Sequence, residues 1–153
     1  PTRRSSDLRT PEEHTMDSID KLIERYAAYT MPVARIFLAA IFLMSGLMKI
    51  GNFSGTAGYM ASQGMPLTEL FLVGAIILEV FGGLSIMFGY YARTGAVLLV
   101  LFLIPATIVF HPVWANAAEQ TNFMKNLSML GALFMIASLG PGGYSLDARR
   151  GTE

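Results

Sequence analysis

The sequence predicts an all-α protein: an integral membrane four-helix bundle with both termini in the cytoplasm and a short N-terminal amphipathic helix. Hydrophobic residues make up 53% of the 153 residues and charged residues only 14%, whereas a soluble domain carries about 25% charged residues. Most of the charged residues lie before Tyr26 or after Leu146. The stretch between them contains four long apolar segments, each close to the roughly 20 residues that a membrane-spanning helix needs.

Residues 1–15 are polar and charged and lack an apolar period. The opening, PTRRSSDL, resembles translated sequencing-adapter sequence. We therefore expect a disordered leader that is foreign to the natural chain, which would start at Met16. The alternative is a genuine disordered tail.

Residues 16–30 are expected to form the amphipathic helix. A helical period of apolar residues with charged residues between them is typical of helices that lie on a membrane surface. The Met31-Pro32 pair is expected to end this helix and to start the first span, because proline favours the first turn of a helix and disfavours its interior. The apolar residues at helical spacing are Ile19, Leu22, Ile23 and Tyr26.

The membrane domain is predicted over residues 31–140, and residues 141–153 are predicted to be a cytoplasmic tail. The alternative, a soluble protein with four buried helices, would require polar outer faces, which these segments almost entirely lack. The four spans are expected at about residues 32–50, 66–88, 92–110 and 123–139.

The basic residues flank the spans mainly on one side, which predicts cytoplasmic termini by the positive-inside rule. Only Lys49 and Lys125 lie on the opposite side, both at helix ends. The loops 51–65 and 111–122 are then expected to face outward, and the first of them, which has no charge, can fold back onto the bundle. The basic residues of the cytoplasmic side are Lys21, Arg25, Arg35, Arg93, Arg149 and Arg150.

Glu79 is the most informative single residue, because it lies near the middle of the second span. A charged side chain at that depth costs about 2.5–3.5 kcal/mol on insertion scales, so an intramembrane carboxyl group is by default a candidate functional group. Two interpretations remain open. Glu79 is either a proton acceptor or polar anchor for a bound ligand, or a structural hydrogen-bonding group that faces a neighbouring helix.

Other polar side chains lie at the ends of the spans. His111 is a second candidate proton or ligand site, although a lone histidine is more often an interfacial residue. Arg35 and Lys49 either reach lipid head groups or contact an ionic partner or a ligand head group. The candidate polar contacts are Arg35, Lys49, Glu69, Arg93, Trp114, Lys125 and Asn126.

The chain has no cysteine and only two histidines, one of them in the leader. The sequence therefore offers no disulfide, no clustered metal ligands and no bis-histidine haem site. We expect neither a metal nor a covalent cofactor, and no self-contained catalytic motif is recognisable. A formal net charge of zero gives no indication of nucleic acid as a partner.

Several motifs together resemble the DoxX family of small bacterial membrane proteins, over roughly residues 35–140. The segment RIFLAAIFLMSGLMKIG resembles the first helix of the family, with an early arginine and a later Ser-Gly and lysine. Further matching pieces are GYMASQGMP, ILEVFGGLSIMFGYYARTGA, VFHP and FMKNLSMLGALFMI. The positions that match family motifs are Arg35, Lys49, Glu79, Arg93, His111, Lys125 and Asn126.

The resemblance implies a four-helix bundle in the bacterial inner membrane, linked to respiratory and oxidative-stress chemistry. Some relatives are subunits of a thiosulfate:quinone oxidoreductase, and others join membrane complexes with thiol and superoxide enzymes. No catalytic role comes with the matching positions. We therefore expect a quinone-interacting accessory subunit of a membrane redox or oxidative-stress complex, with a quinone as ligand and redox proteins as partners.

Two alternatives remain open. The first is a non-enzymatic membrane scaffold that recruits soluble redox partners. The second is a small-molecule carrier, which is the least favoured because the spans are short and apolar. The lipid bilayer is a partner in every case. A bundle this small is compatible with homo-oligomers. The sequence leaves open whether the chain is part of an enzyme.

Overall fold

The computed structural model describes residues 11–151. No strand occurs within these residues, so the predicted all-α class is confirmed. The elements, in chain order, are α1 (Pro11–Gly51), α2 (Phe53–Ser62), α3 (Thr68–Phe88), α4 (Ala92–Phe110), a short 3-10 turn (Ala117–Glu119), α5 (Gln120–Leu139) and α6 (Leu146–Arg150).

Four helical stretches are long and apolar enough to cross a membrane. They are Ala28–Gly51 within α1, the whole of α3, the whole of α4, and Ala117–Leu139, which includes α5. Large apolar side chains on the outside of these stretches are exposed, for example Phe37, Phe81 and Leu101. Such a surface would cause aggregation in water, whereas lipid tails solvate it. The predicted four-span membrane bundle is therefore confirmed.

The spans pack one after another: α1 on α3, α3 on α4, and α4 on α5. The buried core lies towards the end of the domain that carries the α3–α4 turn, and we call this end the packed half. The other end, which carries α2 and the α4–α5 connection, is the cavity half. The core residues are Ala39, Phe42, Ile86, Ala92, Ala96, Leu99, Val100, Leu103, Leu133 and Ile136.

Helix α1 continues without interruption through Pro32, so the expected break at Met31-Pro32 is wrong. Proline removes one backbone donor, but helices in membranes tolerate this loss because neighbouring groups can satisfy the freed carbonyl. Residues 16–30 are helical, but as part of α1 rather than as a separate helix. The expected disorder of residues 11–15 is also wrong, because their backbone is helical; the rest of the predicted leader, residues 1–10, lies outside the described residues.

The connection after α1 contains helix α2, where the sequence suggested a loop. It packs against α3 and buries Met60, so this uncharged segment does fold back onto the bundle. The next span begins at Thr68, slightly later than expected, because Leu67 has a left-handed backbone with φ 50° and cannot continue a right-handed helix. Helix α5 begins at Gln120, earlier than expected, directly after the 3-10 turn.

The C-terminal segment, residues 140–151, packs onto the bundle, a contact that the prediction of a cytoplasmic tail over residues 141–153 did not include. Pro141 is fully buried, and Ser145 and Asp147 are nearly so. The Asp147 carboxylate accepts hydrogen bonds from the backbone N–H groups of Tyr91 at 2.8 Å and Ala92 at 2.9 Å. These groups open α4, where a negative charge is favourable. The segment therefore closes the end of the packed half.

Candidate functional site

Lys49, near the end of α1, and Glu79, in the middle of α3, form an ion pair inside the membrane domain. Nζ of Lys49 lies 2.9 Å from Oε1 of Glu79, and the Glu79 side chain is only 4% exposed. Gly46 permits this approach, because a Cβ at that position would lie only 2.8 Å from Cγ2 of Val80. A larger residue there would push α1 away from α3, so the pair depends on a glycine one turn from the lysine.

Ser45 completes a polar cluster with this pair. Its hydroxyl accepts a hydrogen bond from Lys49 Nζ at 2.6 Å and donates one to Oε1 of Glu79 at 3.0 Å. Oε1 thus has two donors, whereas Oε2 is buried and has no hydrogen-bond partner among the described residues. An ammonium group has three N–H donors. Within residues 11–151, Lys49 uses two of them, one for Ser45 and one for Glu79. The cluster therefore offers one unused acceptor and one unused donor.

These three residues line a cavity of about 660 Å³, which lies between α1 and the α4–α5 pair and is bounded by α2 and α3. Its volume is within the range of roughly 300–1,000 Å³ that is usual for small-molecule sites. Five methionines and five phenylalanine or tyrosine residues are in its lining. Thioethers and aromatic faces pack well against flat rings. The polar lining residues are Ser45, Lys49, Thr56, Tyr59, Glu79, His111, Lys125 and Asn126.

The α4–α5 side of the cavity carries a second polar group. His111 follows the last residue of α4, and its Nδ1 lies 2.7 Å from Oε2 of Glu119. Asn122 donates to the same oxygen at 3.0 Å. One turn further along α5, the buried Asn126 donates to the hydroxyl of Thr107 at 2.9 Å. The largely apolar cavity is therefore lined by two separate polar groups: the cluster around Lys49 and Glu79 on one side, and His111 with Asn126 on the other.

Not every predicted site residue lies at the cavity. Glu69, in the first turn of α3, is exposed and does not line it. Trp114 is 66% exposed and packs edge-on against the ring of Phe123. Those predicted residues that do line the cavity are Lys49, Glu79, His111, Lys125 and Asn126.

Arg35 and Arg93 lie in the packed half, at the opposite end of the domain. Arg35 is 2% exposed, and its guanidinium donates to the carbonyl oxygen of Tyr144. Arg93 donates to the carbonyl oxygens of Ala137 and Ser138, at 3.2 and 2.7 Å, and so ties α4 to the end of α5. The contacts of both arginines are with the chain itself, which points to a structural role.

Sequence reasoning missed Ser45, Glu119 and Asp147. Ser45 precedes Lys49 by one helical turn, so the i, i+4 rule could have suggested their contact. Glu119 and Asn122 are three residues apart, so their contact has a similar signal. The contacts of Glu119 with His111 and of Asp147 with Tyr91 and Ala92 have none, because they join different elements. Within residues 11–151, no group of three or more His, Cys, Asp or Glu residues is arranged to hold a metal ion.

Comparison with known proteins identifies the family. The DoxX profile matches residues 30–112, which include α2, α3, α4, nearly all of the membrane-spanning part of α1 and the Lys49–Glu79 pair. The chain belongs to the DoxX family. The resemblance seen in the sequence motifs is thereby confirmed.

Two relatives are bacterial inner membrane proteins. The chain is 40% identical to inner membrane protein YqjF of Escherichia coli over 115 residues, which cover 75% of this chain and 87% of YqjF. It is 36% identical to inner membrane protein YphA of the same organism over 122 residues, 76% of this chain and 87% of YphA. This DoxX protein is therefore a multi-pass protein of the bacterial inner membrane.

A more limited similarity is to CatD of Bacillus subtilis, which is provisionally named an oxidoreductase. The two chains are 35% identical over 74 residues, 48% of this chain and 54% of CatD. No solved structure matches the chain significantly.

Proposed function

We propose that this DoxX protein binds a quinone in its cavity and serves as an accessory subunit of a membrane redox complex. The observation that supports this proposal most is the buried Oε2 of Glu79, which has no hydrogen-bond partner within residues 11–151, beside an N–H of Lys49 that is unused in the same residues. Both residues line a cavity whose other lining is mainly apolar. This combination suits a ligand that dissolves in the bilayer and carries a small polar head.

The polar cluster suits both redox forms of a quinone. Lys49 can donate its third N–H to a ring carbonyl oxygen of the oxidised form. Oε2 of Glu79 can accept a hydrogen bond from a ring hydroxyl of the reduced form. A buried acceptor without a partner costs about 1–3 kcal/mol, so a ligand hydroxyl that satisfies Oε2 would recover part of this cost.

The apolar lining suits the ring and the tail of the same ligand. Methionine sulfur atoms make favourable contacts with aromatic rings, worth about 0.3–1.5 kcal/mol each. Met44 and Met48 on α1 lie in the lining, as do Phe102 and Phe110 on α4. Side chains of this kind hold a flat ring between α1 and α4.

The proposal assigns binding to this chain and electron transfer to a partner protein. Interconversion of quinone and quinol moves two electrons and two protons, and the chain contains no cysteine through which thiol redox chemistry could supply the electrons. The similarity to CatD, a provisionally named oxidoreductase, supports a redox context.

Quantification of quinone in the purified protein tests the proposal. The protein is purified in mild detergent, extracted, and analysed by mass spectrometry for quinone per polypeptide. We expect near-stoichiometric quinone in the wild type and a reduction of about 2- to 10-fold in Glu79→Gln, because a net hydrogen bond is worth about 0.5–1.5 kcal/mol.

Glu69→Gln is the matched control. It makes the same chemical change on the same helix, but at an exposed position away from the cavity, so it should retain wild-type quinone. Quinone at the level of the membrane background in the wild type would contradict the proposal. Specific co-purification of a soluble redox protein would then favour the scaffold alternative.

A further inference from the structure

The α4–α5 side of the cavity carries His111, a polar residue that makes no contact with the Lys49–Glu79 pair. His111 lines the cavity, yet within residues 11–151 the one hydrogen-bond contact of its side chain is with Glu119, which is not part of the lining. We propose that His111 binds a second ring oxygen of the ligand, and that Glu119 and Asn122 position it. This inference rests on the proposed function and narrows the ligand to a ring with two oxygen substituents.

The contacts of Glu119 determine which nitrogen of His111 is available. Oε2 of Glu119 lies 2.7 Å from Nδ1 of His111 and accepts from Asn122 at 3.0 Å. Two hydrogen-bond contacts at one oxygen of Glu119 are consistent with an ionised carboxylate, which can only accept hydrogen bonds. Nδ1 therefore carries a hydrogen and donates it to Glu119, an arrangement that fixes the tautomer and the ring orientation of a histidine.

Nε2 is then the ring nitrogen that remains for a ligand, since it has no hydrogen-bond partner among the described residues. In the neutral ring Nε2 accepts from a ligand hydroxyl, and in the protonated ring it donates to a carbonyl oxygen. The same nitrogen can therefore serve a quinol and a quinone, as the Lys49–Glu79 pair can.

The two polar groups come from different walls. Lys49 and Glu79 belong to α1 and α3, whereas His111 lies where α4 ends, beside the start of α5. The cavity lies between these walls, so one ligand can contact both groups only if it carries polar atoms on two sides. A ring with two oxygens placed across it meets this requirement, and a single-headed lipid such as a fatty acid does not.

Three ligands that differ only in ring oxygens test the inference. The probes are 2-decylhydroquinone and its two monohydroxy analogues, 2-decylphenol and 3-decylphenol, titrated into delipidated protein in detergent with a reductant present. We expect the wild type to bind the dihydroxy ring about 2- to 10-fold more tightly than either monohydroxy ring, as one net hydrogen bond implies.

Variants identify the residue that causes this preference. His111→Ala should weaken binding of the dihydroxy ring and leave at least one monohydroxy ring within twofold of wild type. Glu119→Ala should act in the same direction, and Glu119→Gln, whose side-chain oxygen can still accept from Nδ1, should restore part of the preference. Glu69→Gln should bind all three probes as the wild type does. A purely structural role of His111 would instead weaken all three probes alike.

The outcomes separate this inference from the proposed function. Equal affinity of the wild type for the three probes overturns the assignment of a second oxygen, while quinone binding stands. A preference that survives in His111→Ala overturns the role of His111. Failure of the wild type to bind any of the three overturns the proposed function, and this inference with it.

Discussion

The buried guanidinium of Arg35 in α1 donates a hydrogen bond to the carbonyl oxygen of Tyr144, 109 residues further along the chain. The same arginine lies close enough to the Asp147 carboxylate for a favourable electrostatic interaction. These contacts fasten the C-terminal segment to the first span, and hydrogen bonds of Asp147 with Gly89 and Tyr91 fasten it to the α3–α4 turn. A segment that the sequence presents as a tail is thus part of the structure that holds the packed half together.

Removal of the Asp147 carboxylate should destabilise the protein. In Asp147→Ala the N–H groups of Tyr91 and Ala92 lose their acceptor, and Arg35 loses a neighbouring negative charge. Loss of a helix cap costs about 0.5–2 kcal/mol, and the buried arginine adds to this cost. Thermal unfolding in detergent, followed by circular dichroism, measures the effect. Arg149→Ala, an exposed change in the same short helix, should leave the midpoint unchanged; equal shifts in both variants would contradict the assigned role.

Substitution of Gly89, which directly follows α3, should be far more harmful than substitution of a glycine within that helix. Gly89 has φ 62°, and a Cβ there would overlap Nη1 of Arg35. Gly89→Ala should therefore lower the free energy of unfolding by at least about 1–3 kcal/mol, from backbone strain together with displacement of the arginine. Gly74→Ala is the control, because nothing lies within 4 Å of a Cβ at that position and alanine is the better helix former. A tolerated Gly89→Ala would show that Arg35 can move without loss.

The Lys49–Glu79 pair should show energetic coupling in a double-mutant cycle. Each single variant, Lys49→Met or Glu79→Gln, leaves the other group without its ionic partner inside the membrane, and we expect a loss of about 1–3 kcal/mol. The double variant should lose less than the sum of the two, with a coupling free energy of about 1 kcal/mol. Unfolding measured for all four proteins in one detergent gives the coupling. Additive losses would mean that the contact contributes nothing to stability.

Labelling from one side of the membrane should confirm cytoplasmic termini. The packed half carries Arg35, Arg93, Arg149 and Arg150, so the positive-inside rule favours the cytoplasm for this end. Because the chain lacks cysteine, single cysteines at exposed positions report the topology cleanly. In spheroplasts, Ala115→Cys should react with a membrane-impermeant maleimide, and Gly143→Cys should react only after lysis. The opposite pattern would reverse the orientation.

The sequence predicted the spans well, because a membrane helix is recognised from local composition. Length and hydropathy located α3 and α4 to within two residues at each end. The same local reasoning expected Pro32 to end a helix, since it could not show that a continuous α1 tolerates the missing hydrogen bond. Helix α2 was missed because its ten residues are too few to span and carry no amphipathic pattern.

The site was only partly predictable, for a related reason. Glu79 and Lys49 are conspicuous as charges in apolar surroundings, so they were found as candidates, but their contact depends on how α1 and α3 pack. Asp147 lies in an ordinary polar stretch, and its hydrogen-bond partners Tyr91 and Ala92 are 56 and 55 residues away. Such tertiary contacts follow from the fold and leave no trace in composition or spacing.

The contrast between the two halves of the bundle has a consequence for stability. Packed side chains and the fastened C-terminal segment fill one end, while at the other end α1 and the α4–α5 pair face each other across a cavity that is lined in part by methionines. Phe42 and Leu103 belong both to the core and to the cavity lining. A ligand in the cavity would therefore touch the core itself, and because it would bind only the folded bundle, it would raise the free energy of unfolding.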